Sequence, residues 1–187
     1  MPSVTPLLDL TPLVDPSLDG VKLFAKAEYQ QAGWSMKDRI AEHILTKAIE
    51  DGKLAVPGGT VVAASSGNTG ASVAMWCAKL GLQSVIITDK KCSQEKKDSI
   101  KAYGAELIVA QAGQDYMQME KDLGAENPTW FMFDQYNNLQ NAEAHYLSTG
   151  KEIWDQTNGE VTHFVMTAST GGTISGVSKY LKEKKSN

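Results

Sequence analysis

Short apolar runs alternate with segments of helical period along most of this chain. Strand-like runs are predicted over residues 21–27, 60–64, 84–88, 106–110, 130–133 and 162–167, each of a length suited to a strand. Between them the pattern changes period. Met36, Ile40, Ile44 and Ala48 recur every four residues, Ser35 stands before them as an N-cap and Gly52 lies past their end, so a helix is predicted over 36–50. Further helices are predicted over 69–80, stopped by Gly81; 93–103, stopped by Gly104; 115–123; 141–156, with a weak point at Gly150; and 172–184. Strict alternation of strand and helix returns the chain across a sheet and calls for parallel pairing. The near-continuous apolar character of the strands fits a sheet covered on both faces. Read from the pattern alone, this is an α/β fold with parallel strands, flanking helices and one sheet of six strands.

Composition narrows the classes. The 187 residues carry 22 acidic and 18 basic side chains, a formal net charge of −4, with 42% hydrophobic and 21% charged residues. That balance predicts a globular fold of one domain or two small ones. It argues against disorder, and against nucleic acid as a partner, which requires a basic patch. No apolar run approaches the roughly 20 residues of a membrane span. The N-terminus has no basic stretch before its apolar residues, so no signal peptide is expected and the chain reads as cytoplasmic. Cys77 and Cys92 form no CxxC pair and read as reduced thiols. His43, His145 and His163 are far apart and read as packed or surface histidines, so no metal site is expected. The lysine-rich tail over 182–187 reads as a frayed end.

Three loops that lead into predicted helices carry unusual chemistry, and in such folds ligands gather at the carboxyl ends of strands. The first, over 32–39, places Lys37 in the first turn of a helix. The helix dipole disfavours a cation there, which lowers the amine's pKa and favours nucleophilic use. The second, Ser65-Ser66-Gly67-Asn68-Thr69-Gly70, offers hydroxyls, an amide and free N–H groups at a helix start, a cradle for a carboxylate. The third, Ser169-Thr170-Gly171-Gly172-Thr173, lets the backbone approach a ligand closely and suits a phosphate. It is not a GxxxxGK[ST] loop, and no GxGxxG occurs. Singly, each also reads as ordinary: a surface lysine beside Asp38, an N-capped turn, a tight turn. Together, an amine, a carboxylate cradle and a phosphate cradle point to an aldehyde cofactor bearing a phosphate, which pyridoxal 5'-phosphate fits.

At these residues the sequence resembles the cysteine synthase and cystathionine β-synthase family, the fold-type II pyridoxal-phosphate enzymes, whose fold is like that of tryptophan synthase β. Leu10-Thr11-Pro12-Leu13-Val14 resembles the family's NTPLV, Ser35-Met36-Lys37-Asp38-Arg39-Ile40 its SVKDRI, residues 65–70 its TSGNTG, Gln135-Tyr136-Asn137-Asn138 its NQY/F-N segment, and residues 169–173 its GTGGT. The resemblance implies that Lys37 is the catalytic and Schiff-base lysine. It implies that Asn68 contacts the cofactor's ring oxygen and that Ser169, Thr170, Gly171, Gly172 and Thr173 hold its phosphate. Ser65, Ser66, Thr69 and Gln135 would hold the substrate carboxylate. The implied reaction is β-replacement or β-elimination on serine or O-acetylserine with a thiol or sulfide, giving cysteine or cystathionine.

The resemblance also redraws the domains. Residues 52–133 would form a small, mobile substrate-loop domain, and residues 1–49 with 141–187 part of a larger cofactor domain that is cut short. A shortened sheet leaves an apolar edge, to be covered in a homodimer, by another chain or by a locally rearranged C-terminal helix. Four departures stand out: Trp34 where the family has glycine, Ala63-Ala64 for Glu-Pro, Ser169 for the first glycine of the phosphate loop, and the absence of the family's later part, with its serine or threonine facing the pyridine nitrogen. They motivate an alternative, a non-catalytic homologue or pseudoenzyme acting as a partner-binding subunit. A third reading is a small-molecule or phosphate-binding module without a Schiff base.

Overall fold

The computed structural model describes residues 3–185. Its centre is a parallel sheet of β3 (Thr60–Ala64), β4 (Gln83–Thr88), β5 (Glu106–Val109) and β6 (Phe131–Met132), in the order β5-β4-β3-β6. Val62 pairs with Val85 on one side and Met132 on the other. Three helices make the crossovers: α2 (Asn68–Leu80), α3 (Gln94–Ala102) and α4 (Tyr116–Glu126). Their starts are set locally. Ser93 Oγ accepts the Lys96 N–H, and Asp115 accepts the Met117 N–H at 2.9 Å.

Alternation along β3 divides the core in two. Val61 and Ala63 join Ile86, Val73, Ala74 and the apolar stripe Ile40, Ile44 and Leu45 of α1 (Lys37–Glu50). Val62 joins Val85 and Ile87 on the other face, against Met119 and Leu123 of α4.

The structure differs from the pattern-based expectation in four places. The strands are not one sheet: β1 (Leu7–Asp9) and β2 (Phe24–Lys26) form a separate antiparallel pair. The connection between them holds only short turns, such as Thr11–Leu13, not a helix that could carry the chain back for parallel pairing. Residues 162–167 form no strand, because none of the described residues supplies a ladder partner. The expected helix over 141–156 is three segments: α5 (Gln140–His145), a π-helical turn (Tyr146–Gly150) and α6 (Lys151–Gln156). The tail is helical as far as Lys185, within α7 (Gly172–Lys185), while residues 186–187 lie outside the described residues.

One buried charge network joins the antiparallel pair to the helices. The Arg39 guanidinium, with no side-chain exposure, donates to Glu28 at 2.7 and 2.8 Å and to Glu152 at 2.6 and 2.8 Å. Lys26 also pairs with Glu152. Burial alone would lower the Arg39 pKa, but the hydrogen bonds it donates to Glu28 and then Glu152 reverse that and raise it.

Candidate active site

Lys37 opens α1, and its backbone N–H donates to Ser35 Oγ at 3.2 Å. The turn before it is pinned by Asp38, whose buried carboxylate accepts from Ser72 Oγ at 2.6 Å and from the Gly33 N–H. Burial raises the Asp38 pKa, and these two bonds oppose the rise. The Lys37 amine itself is lowered in pKa by burial, which favours the neutral, nucleophilic form. It faces a cavity of about 130 Å³ lined also by Met166, Ser169, Gly171 and Thr173. Lys37 and the 169–173 loop, more than a hundred residues apart in the chain, therefore share one space.

The loop is held from beneath. Gly171 sits at φ +79° with open space where a Cβ would stand, a conformation that glycine adopts at no steric cost. Asn141 Nδ2 donates to Thr170 Oγ1 at 3.0 Å and to the Gln135 carbonyl at 2.9 Å. Asn141 Oδ1 is buried without a hydrogen-bond partner, and a Cβ on Gly172 would overlap it. His145 bridges Thr149 Oγ1 at 2.9 Å and Thr173 Oγ1 at 3.0 Å. Burial, then the charges of Lys37 and Arg39, push its pKa down to about 3, so the ring is neutral and orients the Thr173 hydroxyl without adding charge.

The second loop lies where β3 ends. Ser65 Oγ accepts the Gly67 N–H at 3.1 Å, and Thr69 Oγ1 donates to Gln135 Oε1 at 2.8 Å. Gln135 Nε2 donates to the Ala64 carbonyl at 3.0 Å. Thr69 and Gln135 are thus brought together, but like Ser65, Ser66 and Asn68 they do not line the Lys37 cavity, and neither do Thr170 and Gly172. Asn141 links the two clusters through Gln135 and Thr170. Trp34 is 79% exposed and turned away from the cavity, so it does not narrow it. Its φ of +60° explains why glycine suits the position.

Asp38, Asn141 and His145 were not singled out from sequence as part of the site. The local signals are the place of Asp38 within the 35–40 motif and the four-residue spacing of His145 and Thr149. Among the described residues, no group of three or more His, Cys, Asp or Glu could hold a metal ion, and no helix is long and apolar enough to cross a membrane.

The residues fit pyridoxal phosphate: an amine of lowered basicity and a helix start opened by Gly171 face one cavity, and a bonded hydroxyl frame supports the loop. Because Gly172 is packed against Asn141, Gly172→Ala is expected to cost about 1–3 kcal/mol of stability, the ordinary cost of overpacking. The fall in the urea midpoint measures it.

The profile of the family described as "Pyridoxal-phosphate dependent enzyme" matches residues 2–187. The chain is 39% identical over 183 residues to cysteine synthase B of Salmonella typhimurium, covering 96% of this chain and 59% of that protein. It is 38% identical over 172 residues to cystathionine beta-synthase of Dictyostelium discoideum, covering 89% of this chain and 34% of that protein. The structure superposes on a hydrogen sulfide-producing enzyme from Fusobacterium nucleatum with a TM-score of 0.88 and 32% identity, covering 98% of this chain and 60% of that one. The chain thus spans less than two thirds of the length of these relatives.

Proposed function

We infer the function from one premise: this chain belongs to the family of pyridoxal-phosphate dependent enzymes. Similarity to a cysteine synthase and a cystathionine beta-synthase supports β-replacement or β-elimination on serine or O-acetylserine, with a thiol or sulfide as second substrate, giving cysteine or cystathionine. The observation that carries this reading is the single cavity shared by Lys37 and the 169–173 loop.

Each residue then has a task. Lys37 Nζ would hold the cofactor at its aldehyde group, and its neutral amine would take the substrate's α-proton. Ser169, Thr170, Gly171, Gly172 and Thr173 hold the phosphate at the start of α7. Asn68 bonds the ring oxygen. Ser65, Ser66, Thr69 and Gln135 hold the substrate carboxylate, and closure of the 65–69 loop excludes water. Pyridoxal phosphate, when bound, supplies the electron sink. Residues 52–133 act as the small substrate domain, and 1–49 with 141–187 as the cofactor side. We place the chain in the cytoplasm, in a homodimer or paired with another chain.

The test is reconstitution. Purified chain plus pyridoxal phosphate is expected to develop an absorbance band near the visible, and borohydride to fix the cofactor on Lys37, located by peptide mass. Absence of the band would refute the reading. One observation favours the non-catalytic alternative. Residues 162–167 carry an apolar, strand-like sequence, with Val165 almost fully exposed and no ladder partner among the described residues. Turnover of serine or O-acetylserine by the isolated chain decides between the two.

A further inference from the structure

Beyond the last backbone bond between β3 and β6, from the Phe133 N–H to the Val62 carbonyl at 3.0 Å, the two strands are joined by side chains. Gln135 Nε2 takes the Ala64 carbonyl. Glu120, reaching in from α4, accepts the Asp134 N–H at 3.0 Å and also the Ala64 N–H. Ala64 immediately precedes Ser65, and Asp134 immediately precedes Gln135. One carboxyl therefore holds the root of both segments assigned to the substrate carboxylate. Asp134 needs holding, since its φ is +41°. Ala64 stands where the resembling family has proline, and so brings an N–H that proline lacks.

Glu120 is only 7% exposed and lines a small cavity of about 40 Å³ with Asp134, Tyr136 and Met132. The strands under α4, namely β3, β4 and β6, carry no titratable side chain. The charges that face Glu120 are Asp134, which opposes its ionisation, and Lys121, which favours it. Burial is the largest influence, and the group is pushed up to about 7.

We propose that Glu120 is a positioning residue for the amino-acid substrate, clamping the roots of the 65–69 loop and of Gln135 when ionised and releasing them when protonated. The proposal rests on the reading of Ser65, Thr69 and Gln135 as carboxylate contacts. A carboxylate accepts hydrogen bonds roughly twice as strong as a neutral acceptor does. A protonated carboxyl turns one of its oxygens into an O–H donor and is left with fewer and weaker acceptor sites for the N–H groups it holds when ionised.

The experiment titrates the reconstituted full chain with L-serine and follows the cofactor's absorbance. Serine affinity of the wild type is expected to weaken about tenfold more than that of Glu120→Gln as the pH falls from about 8 to about 6. Glu120→Gln is expected to bind serine weakly at every pH, beyond any slope that serine's own ionisation imposes on both proteins, while its cofactor affinity is unchanged. A shared pH profile for the two proteins overturns the proposal. So does tighter binding on acidification, which would mean that repulsion between the two carboxylates outweighs the clamp. Should Glu120→Gln not fold, carbon-13 NMR of the wild-type glutamate carboxyls gives the same answer. The Glu120 midpoint is expected to fall when serine binds, and an unmoved midpoint overturns the proposal. If serine leaves the wild-type cofactor band unchanged at every pH while the band itself forms, the assignment of the carboxylate contacts fails, and the proposal with it.

Discussion

Arg39→Ala is expected to destabilise the chain by about 3–5 kcal/mol, the usual cost of removing one partner from a buried ion pair. Urea unfolding measures it. The loss exceeds that of a surface salt bridge because Arg39 has no exposed side-chain surface and serves two carboxylates at once. Without it, Glu28 and Glu152 face each other in a poorly solvated site with Lys26 as the remaining cation on Glu152. Arg39→Lys is expected to recover little, because an ammonium cannot reproduce a fork that meets two carboxylates along both edges. Adding Glu152→Gln to Arg39→Ala is expected to restore part of the loss, since it removes the stranded charge, and the double-mutant cycle reads the coupling. The pH dependence has a definite sign. Burial raises the Glu152 pKa, but the hydrogen bonds of Arg39 and then Lys26 overcome that and lower it. The stability so gained is present above the ordinary glutamate value and is lost as pH falls through the lowered one. Arg39→Ala is expected to flatten that acid limb. The network also ties Thr5, Glu28 and α6 to the second residue after Lys37, so its loss displaces the first turn of α1.

The parts of the fold legible in the sequence are those whose signal is local. β3 is found at 60–64 as read, because five apolar or β-branched residues lie between a glycine pair and a serine pair. α2 carries its own stop in Gly81, and α3 both a cap in Ser93 and a stop in Gly104. Residues 162–167 have the same strand character but not the same fate, since a strand exists only where another pairs with it and composition cannot supply the partner. The antiparallel pairing of β1 with β2 was hidden for a related reason: it depends on what the intervening residues fail to form. The site divides in the same way. Lys37 and the 169–173 loop announce themselves through residue type at a helix start. Asp38, Asn141 and His145 take their roles from Ser72, Thr170 and Thr173, partners 34, 29 and 28 residues away. An asparagine in a helix has no sequence signature for an amide that spans two loops. Trp34 is a further case: only the backbone angle explains why its position resembles a glycine of the family, and its side chain escapes into solvent.

Lys37→Ala is expected to abolish borohydride-stable attachment of pyridoxal phosphate and, if the wild type turns over substrate, to slow turnover by roughly 10³-fold or more, within the range for losing an acid–base group that is also the nucleophile. Lys37→Arg separates charge from chemistry. It keeps a cation at the start of α1, but a guanidinium does not deprotonate near neutrality, so it is expected to be as inactive as the alanine variant. Both variants should still bind inorganic phosphate like the wild type, because the 169–173 loop rests on Asn141 and His145 rather than on Lys37. That contrast separates a lost nucleophile from a collapsed site. A small primary amine added to Lys37→Ala is expected to restore part of the activity, since the vacated cavity keeps its remaining walls in Met166, Ser169 and Thr173. The depressed basicity of Lys37 gives the pH signature. Burial favours the neutral amine, so attachment in the wild type persists to lower pH than it would for an exposed lysine. Attachment at another lysine in Lys37→Ala, with turnover retained, would remove Lys37 from the chemistry and leave the 169–173 loop as a phosphate site alone.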